Sequence, residues 1–107
     1  MAELAERPGT AVATVHLESL DSEPVRREQL AVAARALGGA ARAVLMGDFN
    51  FDATRTWGEW RHSDLARKPD QLENSALRWL LPQFTDVWPA VRGAEPGLTF
   101  DLSLIHI

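Results

Sequence analysis

Two apolar runs, "TAVATVHL" at 10–17 and "AVLM" at 43–46, flank a stretch of helical period, and a chain so patterned has few ways to hide them. The first run is rich in β-branched residues and reads as a strand. Its two-residue period puts Val12, Thr14 and His16 on one face and Ala13, Val15 and Leu17 on the other. "ESLDSEP" breaks the strand. Asp21 or Ser22 is suited to cap a helix, and Pro24 fits its first turn, where a missing N–H costs little. Leu30, Ala33, Ala34 and Leu37 then recur at helical spacing, while Arg26, Arg27, Glu28 and Arg35 are expected largely outside that stripe. Gly38-Gly39 is expected to end the helix in the left-handed conformation. The all-apolar "AVLM" predicts a strand covered on both faces. Strand, helix, strand in so short a span is a crossover unit, right-handed if the strands lie parallel in one sheet. A third strand between them is also compatible with the pattern.

The rest of the chain is less regular. Residues 53–69 are polar, with Gly58, Pro69 and two tryptophans, and predict a long loop. Asp70 and Glu73 have the spacing of a capping box ahead of a stripe of Leu72, Ala76, Leu77 and Leu80, stopped before Pro82. "FTDVW" (84–88) is expected to be a short strand or extended segment, and "GAEPGLTFD" (93–101) a turn with an extended piece after it.

The totals narrow the classes of function. The 107 residues suffice for one small domain or part of a larger one, and the 46% of apolar residues make a folded chain the default. A formal net charge of −4 argues against a protein held on nucleic acid by bulk positive charge, though not against a local phosphate pocket. There is no cysteine, so disulfides and Cys-ligated zinc are absent. No run approaches the roughly 18 apolar residues of a membrane span, and the N-terminus lacks the basic and apolar regions of a secretory signal. A cytoplasmic location is the expectation that fits.

Chemistry-bearing residues gather at the ends of the two strands. "GDFN" (47–50) follows the second run directly. Asp and Asn are good turn formers, so a plain turn is one reading. The other is a site, since ligands of α/β sheets sit at strand ends. Asp48 is able to orient water or take its proton, and Asn50 to donate its amide to a phosphoryl oxygen. His16 and Ser19, in "HLES", offer two more donors near the end of the first strand. Glu18 suits a metal ligand or, better, a brace for an arginine. The four tryptophans divide. Trp79 and Trp88 lie in apolar contexts and are expected in the core. Trp57 and Trp60, in the polar loop, suit stacking on a base or covering a pocket. His62 is expected to be exposed.

Taken together, "TVHLES…RREQL…VLMGDFNFD…FTDVW…PGLTFD" resembles the endonuclease/exonuclease/phosphatase superfamily, most closely the branch of the 5′-tyrosyl-DNA phosphodiesterases. The likeness spans about residues 10–101. "GDFN" is similar to the family's G-D-x-N, "HLES" to the branch's T-H-L-E-S (with Val15 between Thr14 and His16), and "PGLTFD" to its G-x-T-[WYF]-D. The resemblance implies an α/β (α+β) fold in which this chain is a fragment of a four-layer α-β-β-α sandwich with mixed sheets. It implies a metal-dependent phosphoester or phosphodiester hydrolase using Mg²⁺ or Mn²⁺. By position Asp48 would act on the attacking water, Asn50 and His16 would serve catalysis and hold phosphate, Ser19 would bind substrate, and Phe100 would stand beside it with Asp101 supporting that loop. The implied partner is a phosphate-ester substrate, possibly nucleic acid.

The departures carry equal weight. The family's metal-binding Glu, in a Q-E segment on an earlier strand, and its closing S-D-H are not in this sequence. His106 stands in "DLSLIHI", which is similar to translated adapter sequence. Residues 1–101 are therefore expected to be a partial domain and 102–107 a non-native tail, with the fragment inactive alone. The competing expectation is a non-catalytic α/β binding module in which Asp48 and Asn50 form only a turn. A lipid phosphodiesterase of the same fold would need an anchor not seen here.

Overall fold

A computed structural model describes residues 2–3, 5–20, 22–53 and 73–97. Strand β1 (Ala2–Glu3), β2 (Thr10–His16) and β3 (Arg42–Asp48) form one sheet in that order, and helix α1 (Glu23–Leu37) joins β2 to β3. A 3₁₀ turn at Glu73–Ser75 runs into α2 (Ala76–Leu80), and α3 (Val87–Arg92) follows. The fold is thus mixed α/β. β2 and β3 are direct neighbours and parallel, with Thr10 opposite Arg42 and His16 opposite Asp48. β1 pairs antiparallel with β2, Ala2 opposite Val12. A two-residue strand has no periodicity to read, which is why the sequence gives no sign of it.

Each sheet face follows from the two-residue alternation. Ala11, Ala13 and Leu17 of β2 and its continuation are buried, and Ala43 and Leu45 of β3 share their side. Leu30 and Leu37 of α1 descend onto that side, one against Leu17 and Leu81, the other against Ala11 and Ala13. The predicted helical stripe is therefore the packing face. Val12, Thr14 and His16 line the opposite side beside Val44, Met46 and Asp48. Val44 and Met46 are 45% and 48% exposed, so β3 is covered on one face rather than two. An all-apolar run does not say which of its faces meets a layer.

Arg26 departs furthest from expectation. Expected largely outside the apolar stripe of α1, it is instead wholly buried, level with Leu30. Its Nε and Nη2 donate to the two carboxylate oxygens of Glu73, the second at 2.9 Å. Nη1 donates to the carbonyls of Glu18 at 2.8 Å and Leu20 at 2.6 Å. A guanidinium leaves water only if its fork is filled in this way. Glu73 thus serves Arg26, and Asp70, its partner in the expected capping box, lies outside the described residues.

Helix ends differ from expectation too. Ser22 occupies the N-cap of α1 without a side-chain cap bond, and Gly38 closes it at φ −63°, right-handed, with its N–H on the Arg35 carbonyl. Residues 87 and 88 of the expected extended segment are helical. Asp86 caps α3 by accepting the Trp88 N–H at 3.2 Å, and Pro89 sits in the first turn, where its missing N–H costs little. Trp79 is 75% exposed rather than core. Trp88, also not buried, donates its indole N–H to the Glu95 carbonyl at 2.8 Å and lies under the Arg92 guanidinium. Among the described residues no helix is long and apolar enough to cross a membrane.

Leu30→Ala is expected to cost about 2–5 kcal/mol, because it empties a site bounded by three elements. Val32→Ala, on the exposed side of the same helix, is expected to stay within about 0.5 kcal/mol. Urea unfolding followed by circular dichroism distinguishes them, and equal midpoints would contradict the assigned core.

Candidate functional site

Parallel pairing brings the two polar strand ends together. His16 and Asp48 are register partners at the last rung of the ladder, and the Leu17 N–H continues it by donating to the Asp48 carbonyl at 2.9 Å. Their side chains stand on the outward face, with imidazole Nε2 3.8 Å from Asp48 Oδ2. Both remain open, at 77% and 63% side-chain exposure. A pair so hydrated adds little stability, roughly 0–1 kcal/mol.

The next residues explain how Asp48 is held. Phe49 and Phe51 turn inward against the cluster of Leu17, Leu30 and Leu81, their rings edge to face with centroids 5.8 Å apart. Those two anchors leave Asp48 and Asn50 to the rim. Asn50 takes φ 54°, a left-handed conformation that asparagine tolerates. Its N–H donates to Asp48 Oδ1 at 2.9 Å, an Asx turn, and its Nδ2 donates to the Leu17 carbonyl at 2.7 Å. Asp48 therefore divides its oxygens, Oδ1 to the turn and Oδ2 toward the imidazole. Asn50 spends one amide N–H on the neighbouring strand and has a second.

Gly47 has a separate reason for its place in "GDFN". It sits at φ +135°, and a Cβ there would lie 1.9 Å from the Val15 carbonyl oxygen. Only glycine lets β3 approach β2 so closely at this rung. The glycine thus serves strand pairing, and through pairing sets the distance between His16 and Asp48.

Ser19 is exposed in the loop leaving β2, three residues past His16 at the same end of the strand. The neighbouring Glu18 does brace an arginine, but through its carbonyl, while its N–H donates to Gln29 Oε1 at 2.8 Å. The structure thus brings together His16, Asp48 and Asn50, and Ser19 follows in the loop that leaves the same strand. Arg26, Gln29 and Glu73 act as supports not assigned from the sequence. Spacing held the clue to the first: 26, 30, 33 and 37 are one stripe of a helix. Phe100, Asp101, Trp57, Trp60, His62 and His106 lie outside the described residues.

In chemical terms the rim offers a carboxylate to orient water, an imidazole and an amide to donate to an anion, and a hydroxyl close by in sequence. Among the described residues no three His, Cys, Asp or Glu side chains stand together as a metal-ligand set. Asp48 and His16 do not make one by themselves.

Gly47→Ala is expected to cost about 2–6 kcal/mol, the sum of a strained backbone and an overcrowded strand pair. Gly39→Ala, with open space around its Cα, is the control and is expected to stay within about 1 kcal/mol. Denaturant midpoints measure both, and a Gly47→Ala protein as stable as the control would mean that the strands do not meet as described. Compared with protein-family models, with curated proteins and with solved structures, the chain matches none.

Proposed function

We propose that the rim of His16, Ser19, Asp48 and Asn50 is the phosphate-binding end of a phosphoester hydrolase domain of the endonuclease/exonuclease/phosphatase type. One observation carries the reading. His16 and Asp48 face each other across the final rung of a parallel strand pair, 3.8 Å apart and open to solvent. A donor and an acceptor side by side at the carboxyl ends of parallel strands suit an anionic ligand and the water that attacks it. Asp48, its Oδ1 fixed by the turn, orients or deprotonates that water through Oδ2. His16, Asn50 and Ser19 donate to the phosphoryl oxygens, and Phe100 would flank the substrate.

Mg²⁺ or Mn²⁺ belongs to this reading as the group that would offset phosphate charge. The apolar outward face of Val12, Val44 and Met46 fits a further layer against the sheet, as a four-layer sandwich requires. The substrate class is a phosphate ester, nucleic acid among the options, with the acidic chain favouring contact at few phosphates.

A second reading has its own support. Asp48 Oδ1 accepts from Asn50, and Asn50 Nδ2 donates to Leu17, bonds that a merely structural turn would also make. On that reading the chain is a binding module without chemistry. Asp48→Asn separates the two, since asparagine keeps the turn acceptor and removes the charge. Titration with inorganic phosphate, followed by the His16 imidazole resonances, is expected to be saturable in the wild type. Binding is expected to be about fivefold tighter in Asp48→Asn, from the ~1 kcal/mol that like charges at about 4 Å exchange in water. Resonances unmoved by phosphate, or affinity blind to the substitution, favour the turn.

The 107-residue chain itself is expected to hydrolyse a generic phosphodiester with Mg²⁺ no faster than buffer. It contains neither the Q-E segment nor the S-D-H of the family it resembles, and such groups supply much of the rate. Hydrolysis lost on Asp48→Ala would overturn that expectation.

A further inference from the structure

The Glu18–Leu20 loop, with Ser19 at its middle, is held by α1. Gln29 Oε1 accepts the Glu18 N–H at 2.8 Å, and Arg26 Nη1 donates to the carbonyls of the residues on either side of Ser19, Glu18 at 2.8 Å and Leu20 at 2.6 Å. The Leu20 carbonyl also accepts the Ser22 N–H at 2.9 Å. Leu20 sits at φ 60°, a left-handed conformation that bulky residues seldom take, and its side chain is exposed, so packing gives no compensation. Backbone strain of this kind persists where the surroundings over-determine it, and it concentrates at functional sites. Tying α1 to the Glu73 turn needs only Nε and Nη2 of Arg26. Nη1 is spent on the loop.

We infer that Arg26 and Gln29 are positioning residues for the rim: they fix the backbone on both sides of Ser19, so that its hydroxyl is presented at the strand end that carries His16 and Asp48. The inference rests on the phosphoester reading above. Neither residue touches the anion. They act through the loop, and Arg26 acts from a buried anchor that a flexible side chain could not provide. Lysine, a point charge, does not reproduce a fork that serves a carboxylate with one edge and two carbonyls with another.

Amide hydrogen exchange on the 107-residue chain tests the clamp without a ligand. In Arg26→Lys the Glu18 and Ser22 amides are expected to exchange at least tenfold faster. In Gln29→Ala the Glu18 amide is expected to do so. The Leu17 amide, bonded to the Asp48 carbonyl, is the internal reference and is expected to stay within twofold. Equal acceleration of all three amides, or of none, overturns the inference, because the residues would then only stabilise the fold or do nothing. If Arg26→Lys does not fold, the Glu18-to-Leu17 ratio in Gln29→Ala decides. A second arm titrates inorganic phosphate. Gln29→Ala is expected to bind it at least threefold more weakly while the His16 resonances still respond. Equal binding overturns the positioning role alone. Phosphate that leaves the wild-type spectrum untouched overturns the phosphoester reading, and the site with it, whatever the exchange rates.

Discussion

A guanidinium without solvent, at the start of α1, sets the terms for what surrounds it. Arg26 cannot lose its water unless its donors are filled, and among the described residues groups from one nearby and one distant stretch of chain help to fill them. The Glu73 carboxylate comes from the turn before α2, 47 residues on. The Glu18 and Leu20 carbonyls come from the loop just after β2. One side chain thus fixes the seat of α2, the path of the loop and the entry to α1. Removing either charge of such a buried pair typically costs about 3–5 kcal/mol, since the other is left stranded. The pair adds specificity more than strength: few arrangements of these three segments satisfy it, whereas the leucines around it would accept many.

The second constraint is the close approach of β3 to β2 at Gly47. With a Cβ excluded by the Val15 backbone, the last rungs stay paired through His16 and Asp48. Beyond them Phe49 and Phe51 return to the core. Strand pairing on one side and aromatic anchors on the other leave Asp48 no freedom of direction. It faces the same way as His16 because the backbone on both sides of it is fixed. The Asx turn then sets the carboxylate plane. The rim is pre-organised by apolar packing, ladder bonds and the Asx turn together.

What could be read in the sequence follows from how local each signal is. β2, α1 and β3 were legible because periodicity and punctuation are local; the crossover allowed a direct parallel pair or a third strand between, and only the structure shows the direct pair. The shared face of His16 with Val12 and Thr14 is a consequence of alternation alone. Arg26 shares a helical stripe with Leu30, Ala33 and Leu37, a spacing that fits its burial, whereas its partner Glu73 stands 47 residues away and leaves no local signal. Val44 and Met46 were expected beneath a layer, since apolarity does not record which face is covered. The Asp86 cap was overlooked in favour of the β-like "FTDVW". The polar bond of Asn50 to the Leu17 carbonyl also needed a neighbour 33 residues away, so the turn and the site looked like alternatives when the geometry makes them compatible.

That compatibility bears on what His16 is for. Gly47, Phe49, Phe51 and Asn50 each do something the fold requires. Asp48 does too, through Oδ1. His16 contributes far less: its ring is largely in water, and an ion pair so exposed adds only roughly 0–1 kcal/mol. A residue that any strand-forming side chain could replace without loss of packing is not explained by stability. Its position opposite the one carboxylate oxygen that the turn leaves toward it is explained if the two are meant to share a third body, small and negatively charged, with a water beside it. The same exposure that limits what the pair adds to the fold leaves both side chains open to solvent.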